Sequence, residues 1–187
     1  MPSSELTPFS LVVLALVGEH GAGAHDLEAM LGRSPLYWSA ARSQWYSEPK
    51  RLARLGLLDA ERRPGKTTPR RHYTLTDAGR RALRSRLAEP ARFTRMQNEA
   101  ALRLLAGDLL DDETILASLR PLRHEIDLLD IQLTDSEHRA QQIPHRARHL
   151  MLSHRLARKL LTAHREWLDE LEAELSNPGE LGASDDP

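Results

Sequence analysis

The residues from Trp38 to Leu75 read WSAARSQWYSEPKRLARLGLLDAERRPGKTTPRRHYTL, and this stretch decides the fold. Between Ala40 and Leu55, apolar residues recur at steps of three and four, which predicts an amphipathic helix. Its opposite face is polar and cationic. We expect Gly56 to end the helix, because glycine adopts the left-handed conformation after a helix without a Cβ penalty. The inner stripe of this helix consists of Ala41, Trp45, Glu48/Pro49, Leu52 and Leu55.

A basic hairpin is expected directly after this helix. Leu57–Glu61 and His72–Leu75 have the character of two short strands, and the residues 62–71 between them form a basic loop with proline and glycine. A helix with a cationic outer face followed by such a hairpin predicts a winged helix. The helix can enter a major groove of DNA while the hairpin lies along the flanking backbone.

The residues on either side extend this prediction. Thr7 and Pro8 open a first helix, a second helix is expected from Ala24 to Leu31, and Thr76 caps a fourth. Helix, helix, loop, helix and hairpin is the order of a winged helix-turn-helix. Its β part is predicted to be a two-stranded wing.

Composition agrees with a mainly α protein. Hydrophobic residues make up 40% of the 187 residues and aromatic residues only 4%, which favours helices over a β-sandwich. There is no cysteine, so disulfide, thiol and cysteine–zinc chemistry are excluded. The apolar run from Phe9 to Val17 is too short to span a bilayer, so we expect a buried helix and a cytoplasmic protein.

Charge is divided unevenly along the chain. Residues 1–90 contain 14 Lys and Arg against 9 Asp and Glu, a balance of +5, and residues 91–187 contain 12 against 18, a balance of −6. Residues 38–86 alone contain 13 against 4. Most charged runs are only solvated surface. Here the positive charge falls on one helix face and one hairpin, which favours nucleic-acid binding.

The second half reads as two long helices. Apolar residues follow one another at spacings of four and three from Ile115 to Leu133 and again from Leu150 to Leu175, as in a coiled-coil seam. Two such stripes exceed what a helical hairpin can cover, so we expect a partner chain. The expected dimerisation residues are Ile115, Leu119, Leu122, Ile126, Leu129, Leu133, Leu150, Ala157, Leu161, Leu168, Leu171 and Leu175.

Three segments follow from these patterns. Residues 1–90 are predicted to be a winged-helix DNA-binding domain, and residues 91–176 a helical, coiled-coil-like dimerisation domain. Residues 177–187 are polar and contain proline and glycine, which predicts a disordered tail.

Two segments also carry a family resemblance. SQWYSEPKRLARLGLL, with RRHYTLTDAGRRAL after the wing, resembles the core of PadR-type transcriptional regulators. One departure is Pro49, which stands where that family has leucine. Proline costs ~3 kcal/mol in a helix interior, so we expect a kink or a restart of the helix there. The matching positions are Tyr46, Lys50, Arg51, Leu52, Gly56, Leu57, Leu58, Tyr73, Leu75, Thr76 and Gly79.

The resemblance implies a function without a cofactor or catalysis. Similar proteins are dimeric bacterial regulators, commonly repressors, that bind an inverted-repeat operator in double-stranded DNA, and some are released by a small molecule. Base-edge contacts are expected from Arg42, Ser43, Gln44, Ser47 and Lys50. Phosphate contacts are expected from Tyr46, Arg51, Arg54 and the wing residues Arg62, Arg63, Lys66, Thr67, Thr68, Arg70 and Arg71.

Two other classes of function stay open on the sequence. A winged helix can serve as a protein-interaction module, in which case binding would respond little to salt or to loss of wing charge. The chain also has nine histidines, and His145 and His149 have the i, i+4 spacing of metal ligands, so a metal-dependent sensor is conceivable. The arginines between those two histidines disfavour a cation. P-loop, dinucleotide-type glycine, nucleophile-elbow and HExxH motifs are absent from the sequence.

Overall fold

The computed structural model describes residues 6–18, 20–31, 36–38, 40–64, 69–93 and 97–176. The chain divides into two compact units, Met1–Phe93 and Thr94–Pro187. In the first unit the elements are α1 Pro8–Val17, β1 Ala22–Gly23, α2 Ala24–Leu31, α3 Arg42–Arg54, β2 Leu58–Arg63, β3 Arg70–Leu75 and α4 Asp77–Leu87. In the second they are α5 Glu99–Leu105, a turn of 3-10 helix at Gly107–Leu109, α6 Asp112–Gln141 and α7 Pro144–Ser176.

Local sequence explains where α1 begins. The Thr7 hydroxyl accepts a hydrogen bond from the backbone N–H of Ser10 at 3.1 Å, and the Ser10 hydroxyl accepts one from the N–H of Thr7 at 3.0 Å. Pro8 follows at the first helical position, where a missing N–H costs nothing. Val13, Leu14 and Val17 then bury one face of the helix, within the apolar run that the sequence predicted to be a buried helix.

The wing belongs to a three-stranded antiparallel sheet with the strand order β1-β3-β2. β2 and β3 pair from Leu58 opposite Leu75 to Arg63 opposite Arg70. β1 adds two residues on the other side of β3, with Ala22 opposite Tyr73. The sequence predicted the two longer strands but not β1, because two residues are too few to show an alternating pattern.

The core of the first unit lies between the helices and this sheet. Val13, Leu14, Leu27 and Leu52 are fully buried, and Tyr73 is 1% exposed. Burial of each such side chain contributes ~1.5–3 kcal/mol. Pro49 is also among the fully buried residues, and α3 runs through it without a break. The expected restart of the helix at Pro49 is therefore wrong, since the proline ring packs into the core within one continuous helix.

Two residues of the family-like motif join α4 to the rest of the unit. Thr76 accepts from the N–H of Gly79 at 3.0 Å and donates to the carbonyl of Gly56 at 2.7 Å. A Cβ on Gly79 would lie 2.0 Å from the carbonyl oxygen of Leu57. Only glycine permits this approach, so α4 can pack against the start of β2.

The apolar spacing from Arg92 to Leu105 predicts one helix with Phe93 on its stripe, but the helix observed in this segment starts later. Asn98 caps α5 by accepting from the N–H groups of Ala100 and Ala101, so this helix begins at Glu99 and not at Arg92. Phe93, expected on its apolar stripe, is 90% exposed.

The long helices α6 and α7 form a hairpin whose apolar stripes cover each other. Ile115, Leu119, Ile126 and Leu133 of α6 are buried, as are Ala157, Leu161, Leu168 and Leu171 of α7. The remaining stripe residues, Leu122, Leu129, Leu150 and Leu175, are partly buried. Within one chain the two stripes therefore bury most of each other's side chains, and the assignment of these residues to dimerisation stays a prediction.

Ion pairs fix the register of this hairpin. Arg158 of α7 binds Asp130 at 2.7 Å and Glu137 at 2.8 Å, and Arg165 binds Asp127 at 3.0 Å, all three acids being on α6. The later arginine of α7 pairs with the earlier acid of α6, as is required when two helices are antiparallel. Of the helices described, none is both long and apolar enough to cross a membrane. The predicted tail, 177–187, lies outside the described residues.

Candidate nucleic-acid interface

The helix α3 is anchored to the core by its inner face. Trp45 is 4% exposed and meets the ring of Phe9 edge-on, with centroids 4.7 Å apart. Leu52 lies about two turns further along the same face and is fully buried. Gly56, at φ 70°, takes the left-handed conformation just beyond the helix, as predicted. The outer face of α3 is thereby held toward solvent.

That outer face lines an open groove of about 780 Å³. The groove is polar and cationic, and most of it belongs to the stripe that the sequence assigned to DNA. From the wing, Arg71 joins the helix residues. The lining residues are Arg42, Ser43, Tyr46, Ser47, Lys50, Arg54 and Arg71.

Two of the expected base-reading residues already have partners within the chain. The Gln44 amide oxygen accepts from the N–H of Ala41 at 2.9 Å and so caps the start of α3. In a bidentate contact with adenine, the Gln44 amide oxygen would have to accept a second hydrogen bond or give up this cap. Arg42 pairs with Glu28 of α2 at 3.3 Å, and the Arg42 side chain remains 76% exposed. An ion pair this exposed is worth little, so Arg42 can exchange it for DNA at small cost.

Arg51 does not face the groove. Its guanidinium holds Glu48 through Nε at 2.9 Å and through Nη2 at 2.7 Å, and its Nη2 also donates to Ser10 at 3.0 Å. The hydrogen bond from Arg51 lowers the pKa of Glu48, against the opposing effect of burial. The sequence assigned Arg51 to phosphate, but the structure places it in contact with its own helix and with α1. The Glu48–Arg51 spacing was readable in the sequence, whereas the part played by Ser10 was not.

The wing carries opposed pairs of arginines. Arg62 lies directly opposite Arg71, and Arg63 directly opposite Arg70. Since side chains alternate between the faces of a sheet, Arg62 and Arg71 share the face of buried Tyr73, toward the core side. Arg63 and Arg70 share the outer face, where Arg63 binds Glu61 at 2.9 Å. The predicted contacts Lys66, Thr67 and Thr68 lie outside the described residues.

The histidines are the residues for which the sequence left a metal site open. Within the described ranges, no three His, Asp or Glu side chains come close enough together to form a metal-binding group. His145 and His149 both lie exposed on α7.

Comparisons by sequence and by structure give different results. No protein-family model matches the sequence, and no curated protein matches it. Bacillus subtilis PadR, solved in complex with operator DNA, has a similar structure with a TM-score of 0.72 at 18% identity, over 90% of this chain and 99% of that chain. The same regulator has also been solved in complex with p-coumaric acid.

Two further solved structures are similar over nearly their whole length. The Vibrio cholerae virulence activator AphA has a TM-score of 0.70 at 22% identity, over 91% of this chain and 99% of that chain. The PadR-like transcriptional regulator BC1756 of Bacillus cereus has a TM-score of 0.64 at 17% identity, over 90% and 98%. This chain therefore has the fold of the PadR-type transcriptional regulators, a winged helix followed by a helical second unit.

Proposed function

We propose that the chain is a sequence-specific DNA-binding transcriptional regulator of PadR type, not an enzyme, and that it binds an inverted-repeat operator as a homodimer. The observation that carries this proposal is the juxtaposition of the cationic face of α3 with the wing arginine Arg71 in one groove. A protein helix fits the major groove of B-DNA, where base edges can be distinguished. A flanking cationic strand suits the phosphate backbone.

The opposed wing arginines support a polyanionic partner. Like charges directly opposite each other in an antiparallel pair are destabilising, and the wing places two such pairs next to each other. Glu61 offsets the charge of Arg63. Phosphates along a DNA backbone would relieve the remaining repulsion between the arginines. Binding to DNA would therefore offset the free energy by which this repulsion destabilises the folded wing.

Roles within the site follow from position. Arg42, Ser43, Ser47 and Lys50 line the groove and are the proposed base-reading residues. Gln44, which caps the start of α3, is added to them from the sequence alone. Tyr46, Arg54, Arg62, Arg63, Arg70 and Arg71 are the proposed phosphate contacts, to which Lys66, Thr67 and Thr68 are added from the sequence alone.

The proposed dimer uses leucines that the fold leaves uncovered. Leu102, Leu105 and Leu109 on α5 and the following turn are 60, 83 and 78% exposed. Apolar side chains this exposed and this close in sequence are typical of an interaction surface. A second copy is the occupant we propose, since two winged helices related by a dyad read an inverted repeat.

Repression is the simplest consequence of such binding. A dimer lying across a promoter excludes polymerase without any further contact. We extend the proposal to release by a small molecule because the structurally similar Bacillus subtilis PadR has been solved with p-coumaric acid.

A salt titration tests the DNA-binding proposal. Double-stranded fragments are first selected from random DNA by the purified protein, and binding to them is then measured by fluorescence anisotropy. The double variant Arg62→Ala with Arg71→Ala should lower the affinity for all DNA sequences by the same factor. The slope of log K against log[salt] should fall by about 1.8 per protomer, since each lost phosphate contact removes roughly 0.9.

The matched control removes two charges elsewhere in the same unit. Arg81 and Arg84 are exposed on α4, outside the proposed interface, so their replacement by alanine should leave the slope unchanged. Equal slopes for the wing variant and the control would contradict the wing assignment. A slope near zero for the wild type would instead favour a protein-interaction module.

A further inference from the structure

A polar cluster joins α1 to α3 on the side away from the groove. The Ser10 hydroxyl donates to Glu48 Oε1 at 2.7 Å, and Arg51 contacts both carboxylate oxygens of Glu48 as well as Ser10. Thr7, which caps α1, lies 2.9 Å from Ser10 through its hydroxyl oxygen. The cluster therefore links the start of one helix to the middle of the other.

These groups are largely withdrawn from water. Ser10 is 0% exposed, and the side chains of Glu48 and Arg51 are 14% and 31% exposed. Polar groups buried to this extent destabilise the protein unless they are hydrogen-bonded. The Glu48–Arg51 pair lies within α3, so the Ser10 hydroxyl is the group that ties it to α1, by donating to Glu48 Oε1 and accepting from Arg51 Nη2. Two directional hydrogen bonds to one fully buried hydroxyl restrict the rotation of α3 about its own axis. An apolar contact at the same place would tolerate several rotations.

The cluster lies at the turn where α3 is weakest. Pro49 has no backbone N–H, so the helix lacks one of its own hydrogen bonds there. Glu48 and Arg51 flank this position on the inner side, while Ser47 and Lys50 beside them line the groove. The side-chain hydrogen bonds of the cluster restrain this turn in place of the backbone hydrogen bond that Pro49 cannot donate.

We propose that Ser10, Glu48 and Arg51 are positioning residues that set the rotation of α3, and thereby the direction in which Ser47 and Lys50 enter the DNA groove. Arg51 acts through Glu48 and not on a phosphate. This inference rests on the proposed DNA-binding function. It distinguishes sequence preference, which depends on the rotation, from general affinity for DNA, which does not.

The experiment compares four variants of the full chain: Ser10→Ala, Glu48→Gln, Arg51→Gln and the double variant Glu48→Gln with Arg51→Gln. Affinity is measured for a duplex selected by the wild type and for a scrambled duplex of equal length, each over a range of salt. The ratio of the two affinities should fall roughly tenfold, as expected when one or two base contacts are misaligned. Affinity for the scrambled duplex and its salt slope should stay the same.

The double variant adds a separate criterion. If the cluster acts as a unit, removal of both charges should lower the ratio no further than either single replacement does, because neighbouring groups in one network are not additive. Glu89→Gln is the matched control. It disrupts another Arg–Glu pair at i, i+3 spacing, Arg86–Glu89, and should leave the ratio unchanged. Thermal unfolding of each variant establishes that the protein measured is folded.

Three results would overturn the proposal. A salt slope that falls by about 0.9 per protomer in Arg51→Gln would make Arg51 a phosphate contact. Folded variants that keep the wild-type ratio would show that the cluster only stabilises the fold. A wild type that prefers no duplex would remove the proposed function itself, and with it this inference.

Discussion

At the scale of the residue, His154 is a titratable group inside the helical hairpin. It is 8% exposed, and its Nδ1 atom has no hydrogen-bond partner among the described residues. Burial lowers the pKa of His154 below its ordinary 6.5, and this outweighs nearby Glu137, which raises the pKa, while Arg158 lowers it further. Below pH 6.5 the unfolded chain therefore binds this proton more readily than the folded chain does. Stability should decline as the pH falls from 6.5 toward the folded pKa. We expect a lower melting temperature at pH 5.5 than at pH 7.5, and a smaller difference for His154→Leu. His149→Leu, on the exposed face of the same helix, should retain the wild-type difference, and an unchanged difference in His154→Leu would contradict the assignment.

At the scale of the element, the apolar stripes of α6 and α7 and the uncovered leucines of α5 have separate roles. Leu161 is 3% exposed inside the hairpin, so Leu161→Glu should unfold the hairpin by leaving a charge buried without a partner. Leu102→Glu with Leu105→Glu changes only exposed positions. We expect that double variant to keep its helical circular dichroism and to be monomeric in light scattering at concentrations where the proposed dimer of the wild type should form. If it stays dimeric, the second copy binds elsewhere, and the exposed α7 pair Leu152 and Leu156 is the next surface to change.

At the scale of the whole molecule, the basic first half and the acidic second half predict one orientation for the proposed DNA binding. In the proposed complex the cationic half should face the phosphates, and the half with 18 acidic against 12 basic residues should be repelled by them. The proposed dimer would present two recognition helices at a fixed separation. Insertion of five base pairs at the centre of the selected inverted repeat should turn one half-site to the opposite side of the duplex, since a helical turn is about 10.5 base pairs. Affinity should then drop to that of a single half-site in an electrophoretic mobility assay. Undiminished affinity would mean that the two half-sites are not bound by one rigid dimer.

Local sequence signals were enough to predict most of the first unit. The helix over Ala40–Leu55, the stop at Gly56, the cap at Thr76 and the hairpin after α3 depend on periodicity and on residues with special backbone chemistry, which act over a few positions. The groove-facing stripe from Arg42 to Arg54 followed from the same periodicity, because the direction of a side chain on a helix is set by its spacing. The wing residue Arg71 was expected on that interface for its charge, and its place in the groove depends on strand register.

Other features depended on contacts between residues far apart in the chain. Ser10 lies 38 positions from Glu48, so no spacing could indicate that Arg51 would be drawn inward and away from phosphate. The α6 and α7 stripes looked like an interface because periodicity reveals an apolar face but not what covers it. By itself the sequence determined the helices, the wing and the sign of charge on each half. Only the tertiary structure decided which apolar and cationic side chains are already satisfied within the chain and which remain for a partner, because that is settled by packing between distant segments.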